Sequence, residues 1–309
     1  MNKPLVSVII PNYCHSQFLA QRIESVLNQT YQNFEVIILD DCSPDAGASK
    51  AVIEKYRGNP HVSHIVYNEE NSGSTFKQWN NGIALSKGEY CWIAESDDFC
   101  EPVFLETLIS QVEKYPDVSI CYCIPQFVDE KGDLIRPVPE FDQEEFIKGD
   151  DFVRTPMSYT NAVWNASAAI FKKEYVLEID KSYMNYVAAG DRLFWALLAK
   201  KGNVVYVPKR LSWFRQHGNE VSPTKKRQGI TGLEDYQILK YMERHGWLNW
   251  LQSIRSRHFY LLDVENFVYD SESIRKKLLK QWSYNGFLPI PIIHFVAKCY
   301  MAYCRRLKK

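Results

Sequence analysis

Short apolar runs alternate with amphipathic segments along the first part of the chain. Five runs rich in β-branched and aromatic residues predict strands over residues 5–11, 34–39, 62–67, 89–94 and 118–123. The segments between them carry apolar residues at helical spacing and predict helices over residues 16–30, 45–56, 75–85 and 102–115. This alternation is typical of an α/β fold with a mostly parallel central sheet and helices on both faces.

The pattern changes after residue 123. Residues 125–160 contain several prolines and no clear period, which indicates a long connection over the sheet. Beyond it we expect strands at 166–171 and 204–207, a helix at 191–200, and a strand that runs into a flexible loop over 211–224. From residue 231 the pattern is helical, so the predicted domains are 1–225 and a helical C-terminal extension, 226–309.

Composition limits the classes of function. The chain has 309 residues, 46% of them hydrophobic, which is enough for a sizeable core. Its 37 Lys and Arg balance 37 Asp and Glu, so nucleic acid is not expected as a partner. The eight cysteines form no CxxC pair and indicate reduced thiols in a cytoplasmic protein. No signal peptide or membrane-spanning helix is predicted.

The C-terminal tail, FLPIPIIHFVAKCYMAYCRRLKK, is apolar with a basic end. From residue 271 onward there are nine Lys or Arg and one acid, Glu272. Two interpretations stay open. The tail either lies on an anionic membrane surface or packs back on the protein with its basic end in solvent.

Four polar loops follow the predicted strands: PNYCHS, DDCSPDAG, NEENSGS and ESDDFC. In a parallel sheet such loops meet at one edge, where ligands bind. The chain has neither GxGxxG nor GxxxxGK[ST] after its first strand, so we expect a ligand held by side chains and a metal ion. Asp40 and Asp41 after one strand, and Glu95, Asp97 and Asp98 after another, would repel one another unless a divalent cation or hydrogen-bond donors compensate them.

A simpler interpretation of these acids is that they solvate strand ends and cap helices. Asp98 in particular is a candidate cap for the helix that follows Pro102.

Several motifs together resemble one enzyme family. VSVIIPNY, DDCSPD, NSGS, WNNG, GEYCWIAESDDF, GDRLFW and FRQH, in this order over residues 3–224, are similar to the inverting nucleotide-sugar glycosyltransferases of family 2, which have the GT-A fold. The resemblance implies a sugar transfer from a nucleoside diphosphate donor, with a UDP-sugar as the leading candidate. It also implies Mn²⁺ or Mg²⁺ as cofactor, and as acceptor a hydroxyl of a glycan or lipid-linked glycan in cell-surface polysaccharide synthesis.

The resemblance also implies roles for individual residues. Asp97 would hold the metal ion with His217, and Asp191 would be the general base. The residues implied in nucleotide-sugar binding are Pro11, Tyr13, Asp40, Asp41, Gly73, Asn80, Glu95, Ser96 and Arg215. The sequence departs from the family pattern at Glu95, where an Asp is usual, and at Gly190, where an acid is common.

Two other functions are weighed against this one. The departures at Glu95 and Gly190 are compatible with a catalytically silent module that binds a sugar nucleotide or a glycan. A nucleotidyltransferase is disfavoured, because the Gly-rich basic loop expected after its first strand is absent. A peripheral position on the cytoplasmic face of a membrane, through the basic tail, is part of the expectation.

Overall fold

The structure is a computed structural model that describes residues 3–136, 143–218 and 221–307. The chain packs as two compact units. The first contains residues 1–149, 163–187 and 197–218, and the second contains residues 150–162, 188–196 and 219–309. The units therefore do not follow the single predicted boundary at residue 225, because two internal segments pack with the C-terminal helices.

Within the described residues, the strands occur in two sheets of the first unit. Their bounds are β1 (Val6–Asn12), β2 (Phe34–Asp40), β3 (Val62–Tyr67), β4 (Tyr90–Ile93), β5 (Phe99–Cys100), β6 (Val118–Cys123), β7 (Gln126–Val128), β8 (Leu134–Arg136), β9 (Glu145–Ile147), β10 (Ala169–Lys172), β11 (Asn203–Val207) and β12 (Ser212–Arg215).

The large sheet has the order β3-β2-β1-β4-β10-β6-β11-β9. Parallel pairings join β1 to both β2 and β4, β2 to β3, and β6 to β11, whereas β10 and β9 run antiparallel to their neighbours. The predicted α/β class with a mostly parallel central sheet is confirmed. A second, small sheet has the order β5-β12-β7-β8.

Helices of both units come from the amphipathic segments. Their bounds are α1 (Ser16–Leu27), α2 (Ala48–Ile53), α3 (Thr75–Leu85), α4 (Phe104–Lys114), α5 (Gly149–Phe152), α6 (Lys173–Glu178), α7 (Gly190–Ala199), α8 (Val221–Arg227), α9 (Ile230–Arg244), α10 (Trp250–Asn266), α11 (Glu272–Trp282) and α12 (Ile290–Leu307).

Alternate residues of the central strands face different helices. Val8 and Ile10 of β1 lie in the core with apolar residues of α1, α2 and α4. Ile9, between them, faces α3, where Gly82 comes so close that an added Cβ would lie 2.3 Å from the Ile9 side chain. The WNNG motif thus lets α3 pack directly against the central strand, and helices cover both faces.

Several predicted elements differ in their bounds. The helix predicted at 102–115 begins at Phe104, because residues 99–100 form a short strand paired with β12. The predicted flexible loop over 211–224 was wrong in its last part, where α8 begins at Val221. The strand predicted at 166–171 begins at Ala169, after a 3₁₀ turn over Ala166–Ala168. Part of the irregular connection, 137–142, lies outside the described residues.

Among the described residues, no helix is both long enough and apolar enough to cross a bilayer.

Candidate active site

Three neighbouring parallel strands end at the same edge of the large sheet. In the register of β1 and β2, Asn12 lies beside Asp40, and β4 ends at Ile93 on the other side of β1. The loops after these strands carry the predicted site residues, as expected for the carboxyl edge of a parallel sheet.

One group of side chains at this edge is suited to a metal ion. His15, Asp97 and His217 each offer a ligand atom, and these atoms lie within 4.8 Å of one another. His217 Nε2 is 3.1 Å from Asp97 Oδ2, and His15 Nδ1 is 2.9 Å from the hydroxyl of Ser96. Two imidazoles and one carboxylate form a donor set that suits first-row transition ions, and it suits Mg²⁺ less well, because Mg²⁺ prefers oxygen ligands.

Arg215 holds the loop that contains Asp97. Its guanidinium is buried and donates to the main-chain oxygens of Asp97 (2.8 Å) and Glu130 (2.7 Å), and to the side-chain oxygen of Gln21 (2.6 Å). These donors are therefore used within the protein. The predicted contact of Arg215 with phosphates stays a prediction, and this arrangement does not favour it.

Asp98 is not the helix cap that the sequence suggested. Its carboxylate is 1% exposed and accepts from Asn165 (2.8 Å), from the Ser167 hydroxyl (2.6 Å) and from the Arg215 main-chain N–H (3.0 Å). The Arg22 guanidinium lies 3.8 Å away. Burial, with the nearby charge of Asp97, raises the pKa of Asp98 to about 6; the Arg22 charge and the hydrogen bonds from Ser167 and the Arg215 N–H oppose this rise. Asp98 thus joins distant segments next to the loop residue Asp97.

The side chain of Glu95 contacts a different residue from the one that Asp97 contacts. Its Oε1 accepts from the Trp79 indole N–H at 2.7 Å, and it is not among the side chains that could share an ion with Asp97. Burial, with the nearby charge of Asp97, raises the pKa of Glu95 to about 8. The unusual Glu therefore leaves the His15–Asp97–His217 group intact.

Hydrogen-bond donors surround the acid pair Asp40 and Asp41 at the end of β2. Asp40 accepts from the Asn12 amide (2.7 Å) and from both the hydroxyl and the main-chain N–H of Ser43. Asp41 accepts from Ser72, and also from Asn68, Asn71 and Gln78. Of the two alternatives given for these acids, hydrogen-bond donors are the one that this pair uses.

The remaining predicted nucleotide-sugar residues lie at or near the same loops. Tyr13 is 44% exposed just after β1, where Pro11 is buried in the strand. Gly73 has a φ of 71° and open space around its Cα, and Asn80 lies half-buried on α3. Ser96 is buried against His15.

Asp191 belongs to the second unit, at the start of α7. Its carboxylate accepts from the Asn161 amide (2.7 Å) and from the main-chain N–H of Arg192 (2.8 Å). Burial raises the pKa of Asp191 to about 6; the Arg192 N–H, the Asn161 amide and the Arg192 charge oppose this rise, and Asp235 adds to it. A carboxyl group with this pKa is largely ionised at pH 7 and can accept a proton.

Two side chains at these sites cannot be predicted from the sequence. A lone His in a loop has no ligand spacing, so nothing marks His15, although its loop, PNYCHS, is polar. Asn161 lies in the irregular connection, where no period marks it. In both cases the contact is with residues far along the chain, so the folded structure was needed to find it.

The family model for glycosyl transferase family 2 matches residues 7–170, which is more than half of the chain. The chain belongs to this family. The family 2 assignment and the glycosyltransferase class predicted from the sequence are thereby confirmed.

This glycosyltransferase is similar to several known proteins. It is 27% identical to the putative teichuronic acid biosynthesis glycosyltransferase TuaG of Bacillus subtilis, and the aligned region covers 72% of this chain and 83% of TuaG. Its fold matches S. aureus TarS 1-349 in complex with UDP-GlcNAc, with a TM-score of 0.60 and 18% identity over 96% of this chain and 91% of that one. It also matches the mannosyltransferase PcManGT from Pyrobaculum calidifontis in complex with GDP-Man and Mn²⁺, with a TM-score of 0.54 and 14% identity over 99% and 76% of the two chains.

Proposed function

We propose that this glycosyltransferase is metal-dependent and inverting. It moves a sugar from a nucleoside diphosphate donor to a hydroxyl of a glycan or lipid-linked glycan in the synthesis of a cell-surface polysaccharide. The observation that carries the proposal is the group of His15, Asp97 and His217 at the carboxyl edge of the sheet. The relationship to TuaG supports polysaccharide as the product class.

The metal site is built from this chain's own residues. Asp97, His217 and His15 would hold Mn²⁺, whose charge would stabilise the departing diphosphate. Hydrogen bonds of Arg215 and Asp98 hold the loop that contains Asp97, which keeps the candidate ligand atoms close together before an ion binds. The Mn²⁺ in the structural neighbour PcManGT is consistent with this choice of ion.

The nucleoside would bind at the loops after β1 and β2. Tyr13 offers an exposed aromatic face, and Asp40 offers an ionisable acceptor for a base N–H. The hydrogen bonds of Asp40 to Asn12 and Ser43 set the direction of its carboxylate. UDP-GlcNAc and GDP-Man, bound by two structural neighbours, define the donors to test first.

Asp191 would take the proton from the acceptor hydroxyl. The hydroxyl oxygen forms the new bond to the anomeric carbon as the bond to the diphosphate breaks, and this single displacement inverts the anomeric configuration. Asp191 suits the role because it is buried and held by Asn161, and its carboxylate is largely ionised at pH 7.

Donor binding with and without metal tests the proposal. With Mn²⁺ present, a UDP-sugar at a hundredfold excess over its Kd should raise the free energy of unfolding by about 2.7 kcal/mol. After EDTA treatment the increase should be much smaller. Thermal unfolding against UDP-, GDP- and dTDP-sugars measures this. Release of nucleoside diphosphate in the same mixtures distinguishes an enzyme from a silent binding module, which would be stabilised without turnover.

Alanine variants of the histidines locate the ion. His15→Ala and His217→Ala should each raise the Mn²⁺ concentration needed for half-maximal stabilisation by about 10- to 100-fold, since each removes one candidate ligand. His64→Ala, a half-buried His on β3, is the matched control and should leave it unchanged. Equal behaviour of all three variants would place the ion elsewhere.

Removal of the Asn161 amide should alter the pH dependence of transfer. Its hydrogen bond lowers the pKa of Asp191, so Asn161→Ala should raise that pKa and move the acid limb of the kcat/KM profile to higher pH. Asp235 and Arg192, the charged groups that also act on Asp191, are unchanged in this variant. Asn266→Ala, an exposed amide on α10, is the control. An unmoved acid limb in Asn161→Ala would argue against Asp191 as the titrating base.

A further inference from the structure

The C-terminal helix α12 carries apolar side chains on two opposite faces. Ile293 and Ala297 are fully buried on one face. Ile292, Phe295 and Tyr303 are 46%, 69% and 60% exposed. Their spacing of three and eleven residues places them together on the other side of an α-helix. One apolar face of α12 is thus packed, and a second one faces solvent.

Other exposed apolar side chains lie near these three along the chain. Phe287, in the turn before α12, is 89% exposed. Cys299 and Ala302 are also exposed and lie between Phe295 and Tyr303 along the helix. Single exposed apolar residues are common on protein surfaces, but a contiguous group of large ones marks an interaction surface.

The charged side chains of α12 itself are of one sign, although Glu265 of α10 lies 3.4 Å from His294 of α12. Lys298, Arg305 and Arg306 are exposed on α12, and the sequence has no Asp or Glu after Glu272. A second copy of the chain would bring the same positive charges against themselves, which disfavours self-association through this face. A negatively charged apolar surface is complementary to it.

The shape of the helix agrees with such a surface. An 18-residue helix is about 27 Å long, and α12 does not qualify as a membrane-spanning segment. A helix with large apolar residues on one side and Lys and Arg nearby lies in the plane of the membrane interface, with its apolar side in the acyl boundary.

We propose that the exposed face of α12 binds the surface of a membrane that contains anionic phospholipid. We call it the lipid face, defined by Phe287, Ile292, Phe295 and Tyr303 with the bases Lys298, Arg305 and Arg306. The aromatic and aliphatic groups enter the boundary between headgroups and acyl chains, and the bases contact lipid phosphates. Lipid binding of this kind requires no sugar donor, so it stands or falls independently of the proposed transfer reaction.

Vesicle flotation of the full chain tests the lipid face. We expect binding to phosphatidylcholine vesicles that contain phosphatidylglycerol, little binding to phosphatidylcholine alone, and weaker binding as salt is raised. Each base near the surface contributes about fivefold in affinity, so the triple variant Lys298→Gln/Arg305→Gln/Arg306→Gln should bind about 10²-fold more weakly. Phe287→Ser/Phe295→Ser should lose most binding even at low salt.

Two controls keep the outcome specific. Lys50→Gln/Lys55→Gln/Lys181→Gln removes the same charge from exposed positions of the first unit, and Leu177→Ser removes an apolar side chain that is 65% exposed. Both should bind vesicles like the wild type. Equal loss in the control triple variant, or unchanged binding in Phe287→Ser/Phe295→Ser, overturns the proposal. A dimer of the wild type in light scattering would also overturn it, if the Phe287→Ser/Phe295→Ser variant were a monomer. The exposed face would then bind a second copy of the chain.

Discussion

Asp97→Asn is expected to abolish metal-dependent transfer. The substitution keeps the size of the side chain but removes the only carboxylate in the group with His15 and His217. Metal stabilisation of a leaving group contributes several kcal/mol, so its loss should lower kcat by at least about 10²-fold. Release of nucleoside diphosphate from a UDP-sugar, measured over a Mn²⁺ titration, checks the rate and the metal requirement together.

The matched control is Asp117→Asn. Asp117 is exposed just before β6, on the opposite edge of the sheet, and its φ of 52° suits Asn. This variant should retain the wild-type rate and Mn²⁺ requirement. If Asp97→Asn also kept both, the metal site would have to be assigned to other residues, and the proposed mechanism would fail at its first step.

Asp191→Asn is expected to separate binding from chemistry. Asparagine cannot accept the proton of the acceptor hydroxyl, and loss of a general base lowers the rate by about 10²- to 10⁴-fold. Mn²⁺-dependent stabilisation by a UDP-sugar should remain as in the wild type, because Asp191 is not part of the candidate group of His15, Asp97 and His217. Calorimetric donor titration and nucleotide-release kinetics on the same preparation measure the two properties.

The stability of Asp191→Asn gives an internal check on this variant. Burial raises the pKa of Asp191 to about 6, so the folded state favours the protonated form, and the ionised carboxylate weakens folding above that pH. A neutral Asn removes this cost, but it has one acceptor oxygen where the carboxylate uses two, for Asn161 and the Arg192 N–H, so the melting temperature at pH 7 should change little. Asp270→Asn, an exposed acid before α11, is the control and should leave both rate and stability unchanged. A fast Asp191→Asn enzyme would contradict the assigned base.

The strands of the large sheet could be predicted where a whole run is buried. β1 and β2 are buried along their entire length, so continuous β-branched runs marked them clearly. The two-residue strand at Phe99–Cys100 could not be predicted, because its only support is the pairing with β12 more than a hundred residues later. The helix at Val221 was hidden for a similar reason, since its polar sequence, VSPTKKR, resembles a loop.

Part of the candidate site could be predicted, namely the residues that directly follow a buried strand. Asp97 stood out because it follows a buried strand in an acidic loop, but its partner His217 is 120 residues away. The family resemblance, and not any local pattern, suggested that pair. Asp98 seemed to be a solvated cap because Pro102 follows it; its burial depends on Asn165 and Ser167, which no local pattern connects to it.

Arg215 connects the loop that contains Asp97 to a distant turn through the backbone. Its guanidinium bonds to the main-chain oxygens of Asp97, Asp129 and Glu130. The Asp129 carboxylate accepts from the main-chain N–H groups of Lys131 and Asp133, which holds that turn in shape. Glu130 contributes a main-chain oxygen to this arrangement, so position 130 should tolerate substitution better than position 129.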